Sequence, residues 1–135
     1  MATTSDDNYN TKKGSNDNVN LTVTIGFAQI ASTAVSLDGS PILVPGKDES
    51  GNTIQPDGNG NYLNTFIIPL GSNVNVNGKE LLVVSSVERI QDNEDRTSVE
   101  INLEGGEAPK TFPLLTEKAT SKGDTVTYDP VITFI

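Results

Sequence analysis

The chain of 135 residues contains no histidine, no cysteine and no tryptophan. The lack of cysteine excludes disulfides, thiolate metal ligands and a thiol nucleophile, and the lack of histidine removes the commonest general base and metal ligand. A serine nucleophile would then need a lysine as its base, and the lysines stand in turn or loop contexts in which the amine is normally solvated. These absences favour a protein that acts through its surfaces and predict that it is not an enzyme.

Positive charge is also scarce, since 9 basic residues stand against 18 acidic ones and the formal net charge is −9. An acidic surface repels the phosphates of nucleic acids and the headgroups of anionic membranes. No stretch approaches the ~20 apolar residues of a membrane-spanning helix, and the opening MATTSDD lacks the basic and apolar regions of a secretory signal. The sequence therefore predicts no nucleic-acid partner, no membrane insertion and no export signal. It predicts cytoplasmic synthesis, with a virion or other assembled particle as one destination.

What the chain does contain is apolar residues that alternate with polar ones, a pattern typical of strands with one wet face. The clearest run covers residues 19–27, and further runs cover 62–70, 99–103 and 126–134. Turn residues separate the runs at roughly even spacing. The pattern predicts a single-domain all-β fold over residues 19–135, either a β-sandwich or a Greek-key barrel of about eight strands.

Two local signals refine this strand map. The dipeptide Asn77-Gly78 favours the positive φ angles of a type I′ hairpin, which would place Val74 opposite Leu81. The run from Leu81 to Val84 is apolar on both faces, so it predicts a strand that runs through the middle of the sandwich or barrel.

Residues 1–18 differ from the rest of the chain, because they are rich in Thr, Ser, Asp, Asn and Lys and contain one aromatic residue, Tyr9. Such a segment buries too little apolar surface to offset the loss of chain entropy on folding. We therefore predict a polar N-terminal arm that is disordered alone or docked on a partner, followed by the β-domain.

The last predicted strand has the opposite character, since it is apolar up to the final residue. An apolar strand of this kind needs a cover, which is either the core of its own domain or a neighbouring subunit that adds a strand. The predicted interface residues are Val131, Ile132, Phe134 and Ile135.

The leading hypothesis is a non-catalytic structural subunit of a larger particle, such as a phage coat, decoration or tail component, or a filament. A flexible arm joined to a compact β-domain is a common layout in such assemblies, which is an analogy of architecture and not a match to a family. The implied partners are proteins, as a homo-oligomer or as particle neighbours, held by β-strand and arm contacts. No cofactor is required.

The second hypothesis is a binding module that acts through the loops at 46–61 and 91–96, with calcium as the ligand. Asp57, Asn59 and Asn61 place oxygen ligands at alternate positions, as at the start of a calcium loop. The match to an EF-hand then fails, because the next required glycine and the closing glutamate are absent.

The third hypothesis is a hydrolase that uses two carboxylates. Glu100 and Glu104 lie on one side of a predicted strand. The rise per residue of a strand places them about 13 Å apart. That separation exceeds the ~5–9.5 Å between the carboxyl groups of glycosidases, so this hypothesis ranks last.

Overall fold

Two β-sheets packed face to face make up the part of the chain that the computed structural model describes, residues 3–42, 44 and 64–135. The strands in these residues are β1 (Asp6–Tyr9), β2 (Asn18–Ile25), β3 (Ile30–Leu37), β4 (Ser40–Ile42), β5 (Thr65–Ser72), β6 (Glu80–Glu88), β7 (Arg96–Glu104), β8 (Lys110–Thr111), β9 (Leu115–Lys118), β10 (Thr125–Tyr128) and β11 (Val131–Phe134), and one helical turn is α1 (Asn73–Val76). The predicted all-β fold is confirmed, and its two packed sheets match the sandwich alternative.

The first sheet has the strand order β1-β11-β6-β3-β4, and the second has the order β5-β2-β7-β8. β10 also pairs with β6, on the same edge as β11, and β9 also pairs with β7, on the same edge as β8. Pro130 lies between β10 and β11, and Pro113 lies between β8 and β9. Proline has no N–H to donate to a ladder, so the strand predicted over 126–134 is divided in two.

The core lies between the sheets, where alternate residues of each strand point inward. Burial alternates strictly along β6 from Leu81 to Val87, and β2 and the part of β7 from Val99 to Leu103 show the same period of two. β6 has β3 on one side and β10 and β11 on the other, so the prediction of a central strand is confirmed. The largest fully buried side chains are Tyr128, Phe134, Leu21, Ile68, Leu81, Leu103, Ile132 and Gln29.

The segment from β5 to β6 crosses from the second sheet to the first. α1 begins after Ser72, whose side chain accepts a hydrogen bond from the backbone of Asn75. Val76 of α1 is fully buried, whereas Val74 is 47% exposed. The predicted hairpin is therefore wrong, because the flanking strands lie in different sheets and Val74 does not pair with Leu81. Within the described residues no helix is long and apolar enough to cross a membrane.

Asn77 and Gly78 form a turn of another type. Asn77 has φ −55° and ψ 130°, Gly78 has φ +82°, and a 3.0 Å backbone hydrogen bond closes the turn, as in type II. A glycine satisfies the positive φ at the third position of either turn, so the dipeptide alone does not select between them. The type I′ geometry occurs instead at Asp38-Gly39, which joins β3 to β4 with φ values of 49° and 80°.

Candidate functional site

β1 lies at the edge of the first sheet, next to β11 and parallel to it. The register places Asp6 opposite Val131 and Tyr9 opposite Phe134. The sequence predicts residues 1–18 to be disordered alone or docked on a partner, whereas in the structure part of this segment docks on its own chain. A sheet edge offers backbone hydrogen bonds to any extended segment, and composition does not reveal that opportunity.

Tyr9 anchors β1 to the core. Its side chain is 2% exposed and packs edge-to-face against Phe134, with ring centroids 6.1 Å apart and planes at 82°. The hydroxyl donates to the carbonyl of Ala108 at 2.7 Å and accepts from the backbone N–H of Gly106 at 3.0 Å. Burial raises the pKa of Tyr9 above its ordinary value, so the phenol stays protonated at neutral pH.

A groove between β11 and the turn at 105–110 receives the Tyr9 ring, and we call it the Tyr9 slot. A Cβ on Gly106 would lie 2.5 Å from the ring and 2.6 Å from the carbonyl oxygen of Asn10, so the slot requires glycine there. An adjoining cavity of about 210 Å³ is lined by both polar and apolar surface, and Lys110 donates to the carbonyl of Asn8 at 3.0 Å at this seam between β1 and the turn at 105–110. This volume is below the ~300–1,000 Å³ of drug-sized ligand pockets, so we assign the seam to strand binding.

The chain leaves β1 through a linker that is tied to α1 and to β11. The backbone of Thr11 donates to the carbonyl of Ile135 at 2.8 Å, and the backbone of Lys12 donates to the side chain of Asn73 at 2.9 Å. The Asn73 amide is buried and also donates to the carbonyls of Asp17 and Gly105. One buried amide therefore joins the linker, α1 and the turn beside the Tyr9 slot, and no sequence motif marks it.

The four predicted interface residues divide into two pairs. Ile132 is 1% exposed and Phe134 is fully buried, so the chain's own core covers both side chains. Val131 points away from the core and is half-buried, and Ile135 is exposed. Only the second pair is accessible on the surface of a single chain.

The outward positions of the first sheet form a surface without long charged side chains at its centre, and we call it the outer face. It has no lysine or arginine among the described strand residues, and its acidic side chains are Glu80 and Glu88 at the ends of β6 and Asp6 at the edge. The remaining residues of the outer face include Ser32, Ala34, Ser36, Leu82, Val84, Ser86, Thr125, Thr127, Val131 and Thr133. The absence of charge from the centre of this face is shared with the cores of protein–protein interfaces, whereas its serine and alanine content is not.

The loop at 91–96, predicted as a ligand-binding loop, is held to the domain by two side chains. Gln29 is 1% exposed and bonds the backbone at four places in or next to this loop. The Arg89 guanidinium donates to four carbonyls, two within the loop and two at Ala119 and Thr120. The backbone of the loop is thus committed to structural hydrogen bonds.

Two acidic side chains of this loop have basic partners. Asp92 lies 3.1 Å from the ammonium of Lys122, and Glu94 lies 2.6 Å from the guanidinium of Arg96. The described residues contain no group of three or more carboxylates that could hold a metal ion. The other predicted loop, 46–61, with the calcium candidates Asp57, Asn59 and Asn61, lies outside the described residues.

The ion pair between Glu94 and Arg96 gives a testable pKa. Hydrogen bonds from Arg96 hold the pKa of the Glu94 carboxyl at about 2. We expect Arg96→Gln to raise this pKa toward its ordinary value of about 4.3, as measured by NMR titration of the side-chain carboxyl. The control Lys118→Gln removes the same charge without breaking this contact and should leave the Glu94 pKa near its original value. An unchanged pKa in Arg96→Gln would show that the ion pair does not form in solution.

The turn between β2 and β3 contains two successive residues in the left-handed region. Phe27 has φ 58° and Ala28 has φ 57°, although neither is glycine. The Phe27 ring lies under the Arg96 guanidinium, 4.5 Å from its centroid, and the side chain of Gln91 donates to the carbonyl of Ala28. These contacts hold a turn whose backbone is otherwise unfavourable.

Relief of this backbone strain predicts a stabilising substitution. We expect Ala28→Gly to raise the free energy of unfolding by about 1 kcal/mol, because glycine adopts positive φ without steric cost. The control Ala34→Gly, at an exposed position of β3, should lower it by about 0.5–1 kcal/mol through backbone entropy alone. Urea denaturation of the three proteins measures both differences, and equal effects at the two sites would contradict the assignment of strain to Ala28.

Glu100 and Glu104, the carboxylates considered for a hydrolase, both point outward from β7 in the second sheet. They belong to the same outward row of β7, and Asn102 lies between them. The structure therefore places them on one side of one strand, as the sequence predicts.

Comparisons with protein-family models, with curated proteins and with solved structures found no match to this chain. The functional interpretation accordingly depends on the geometry of the Tyr9 slot and of the outer face.

Proposed function

We propose that the protein is a non-catalytic structural subunit that assembles with copies of itself into a larger particle, through the outer face and through strand contacts at the edge of the same sheet. The observation that supports this proposal is the composition of the outer face. Its centre consists of Ala34, Leu82 and Val84 among serine and threonine side chains, with the carboxylates at its ends and edge. Burial of this centre against another protein would desolvate no charged group.

The outer face is suited to bind the outer face of a second copy of the chain. Two sheets stack about 10 Å apart when their facing side chains interdigitate. The outer faces of two copies carry the same side chains, so both faces satisfy this requirement equally. Glu80, Glu88 and Asp6 would remain at the rim, where water still solvates them. The net charge of −9 opposes close approach of two copies, so we expect association to increase with salt as the Debye length falls from about 10 Å at 0.1 M to about 3 Å at 1 M.

The experiment compares two lysine substitutions by sedimentation velocity over a series of protein and salt concentrations. Val84→Lys places a lysine at the centre of the outer face, and Thr22→Lys places one at a matched half-buried, outward position of the second sheet. We expect Val84→Lys to weaken self-association by about tenfold or more and Thr22→Lys to leave it unchanged. Both variants lower the net negative charge, so repulsion between copies cannot explain a loss.

Thermal unfolding of both variants establishes that each remains folded. Wild-type protein that stays monomeric at every protein and salt concentration would overturn the proposal. Equal weakening by the two lysines would show that the outer face is not the contact surface.

A further inference from the structure

We infer that the Tyr9 slot also accepts the β1 strand of a second copy, so that assembled subunits exchange their N-terminal strands. This inference rests on the proposed function, because exchange requires an assembly that brings copies together. It identifies the partner of the arm as another molecule of the same chain.

The contacts of β1 can all be made from a different molecule. The backbone N–H groups of Asp129, Val131 and Ile135 donate to Thr3, Ser5 and Tyr9, at 2.9, 2.8 and 2.9 Å. Among the described residues, the Tyr9 hydroxyl bonds only to the turn at 105–110. Every one of these partners belongs to the far end of the chain, so a strand from a second copy would make the same bonds. Exchange of an identical element is for this reason a low-cost route to oligomers.

The linker provides a hinge at Lys13 and Gly14. Both residues are exposed, Gly14 has φ +71°, and a Cβ at Gly14 would meet nothing within 4 Å. The only described backbone hydrogen bond that closes this turn runs from Ser15 to Lys12, at 3.1 Å. Opening the hinge breaks this backbone bond and the exposed ion pair between Lys12 and Asp17. It also displaces the Lys13 ammonium, which donates to the side chains of Thr11 and Asn77 at 2.9 and 3.1 Å.

The bonds after the hinge are kept when it opens, and those before it are remade on the second copy. After the hinge, the carbonyls of Ser15 and Asp17 accept from the backbone of Val74 and Asn73, so this part stays on its own domain. Before the hinge, the bonds of the linker to Ile135 and Asn73 move with β1 and form again on the second copy. The chain thus divides into an exchangeable segment and a fixed domain at one exposed turn.

The slot itself selects this strand over an unrelated one. It needs an extended segment parallel to β11 that places a tyrosine beside Phe134, with a hydroxyl able to reach both Ala108 and Gly106. A second copy supplies that segment, and the high local concentration within an assembly lets its strand compete with the chain's own strand for the slot.

The test uses two single-cysteine variants, Asn8→Cys and Thr133→Cys, mixed in equal amounts under the conditions in which wild-type protein associates. These two positions are Cα partners in the parallel register, and the chain has no other cysteine. A disulfide between positions 8 and 133 in this mixture can only join two molecules, and mass spectrometry of the digested product identifies it. We expect this link to form several-fold more than the link in a control mixture of Asn8→Cys and Thr24→Cys, whose second cysteine lies on the outer side of the other sheet.

The double variant Asn8→Cys/Thr133→Cys calibrates the experiment. In dilute solution it should close a disulfide within one chain and remain monomeric, which shows that the two positions can bond. Failure to close would overturn the register on which the inference depends.

The remaining outcomes separate this inference from the proposed function. Association by sedimentation without a link between chains above the control overturns strand exchange and leaves assembly through the outer face standing. Links between chains together with unimpaired association of Val84→Lys support strand exchange and overturn the role of the outer face. Absence of association under every condition overturns the proposed function.

Discussion

Replacement of Gln29 by glutamate is expected to lower the free energy of unfolding by about 3–5 kcal/mol at neutral pH, the cost of leaving a charge buried without a partner. The substitution keeps the size and shape of the side chain, so the effect reports hydrogen bonding and charge alone. Gln29 is 1% exposed, and water cannot replace what the substitution removes.

The geometry of the amide explains the size of this effect. Its Nε2 donates to the carbonyls of Glu94 and Arg96, at 3.0 and 3.1 Å, and its Oε1 accepts from the backbone N–H groups of Ile90 and Gln91, at 2.8 and 3.2 Å. A glutamate can still accept both N–H bonds, but its second oxygen would face two carbonyl oxygens. Repulsion would then replace two favourable bonds in a desolvated position.

The loss should depend on pH in a defined direction. Protonation lets the glutamate donate to one carbonyl, so burial and the two carbonyls raise its pKa in the folded state above the unfolded value of about 4.3. The folded variant therefore binds its proton more tightly than the unfolded one. Stability is retained below the unfolded pKa and is lost as the pH rises through the folded pKa.

Urea denaturation on both sides of about pH 4.3 measures this dependence. Gln91→Glu is the matched control, because Gln91 belongs to the same loop but makes one exposed hydrogen bond, to the carbonyl of Ala28. Gln91→Glu should lower the free energy of unfolding by less than about 1 kcal/mol. A Gln29→Glu variant as stable as this control would mean that Gln29 does not hold the loop.

The contrast between Gln29 and β6 shows what a sequence can predict about this fold. The run from Leu81 to Val84 is apolar at every position, and this composition identifies β6 as a central strand. Its outward members Leu82 and Val84 are nevertheless only half-buried, on the outer face. The alternation over 126–134 likewise predicts that Ile132 and Phe134 share a face, and both are buried. Gln29 gives no such signal, because glutamine is usually a surface residue. Only the folded structure places the four backbone groups that bond its buried amide.

The predicted type I′ hairpin at Asn77-Gly78 is wrong for a related reason. Local preference allows two turn types there, and the choice depends on which sheet receives each flanking strand. That information is not local, and neither is the docking of β1, whose partner strand stands more than a hundred residues further along the chain. The one sequence signal for this docking is Tyr9 itself, a lone aromatic residue in a polar segment.

The second large effect on stability is expected from replacement of Tyr9. We expect Tyr9→Ala to lower the free energy of unfolding by about 3–5 kcal/mol, the range for removal of a buried aromatic side chain, or by the full docking energy of β1 if the strand detaches first. Tyr9→Phe keeps the ring against Phe134 and loses only the bonds to Ala108 and Gly106, so it should cost about 0.5–1.5 kcal/mol.

Hydrogen exchange distinguishes detachment of β1 from a general loss of stability. The amides of Val131 and Ile135 donate to Ser5 and Tyr9 of the docked strand, so detachment exposes both to solvent. We expect Tyr9→Ala to speed their exchange far more than that of Val83, which lies deep in β6, and Tyr9→Phe to leave the order of rates as in wild type. Equal acceleration at all three amides would mean that β1 unfolds only together with the whole domain. The strand would then be unable to leave its slot while the domain stays folded, and exchange between subunits would have to occur before folding is complete.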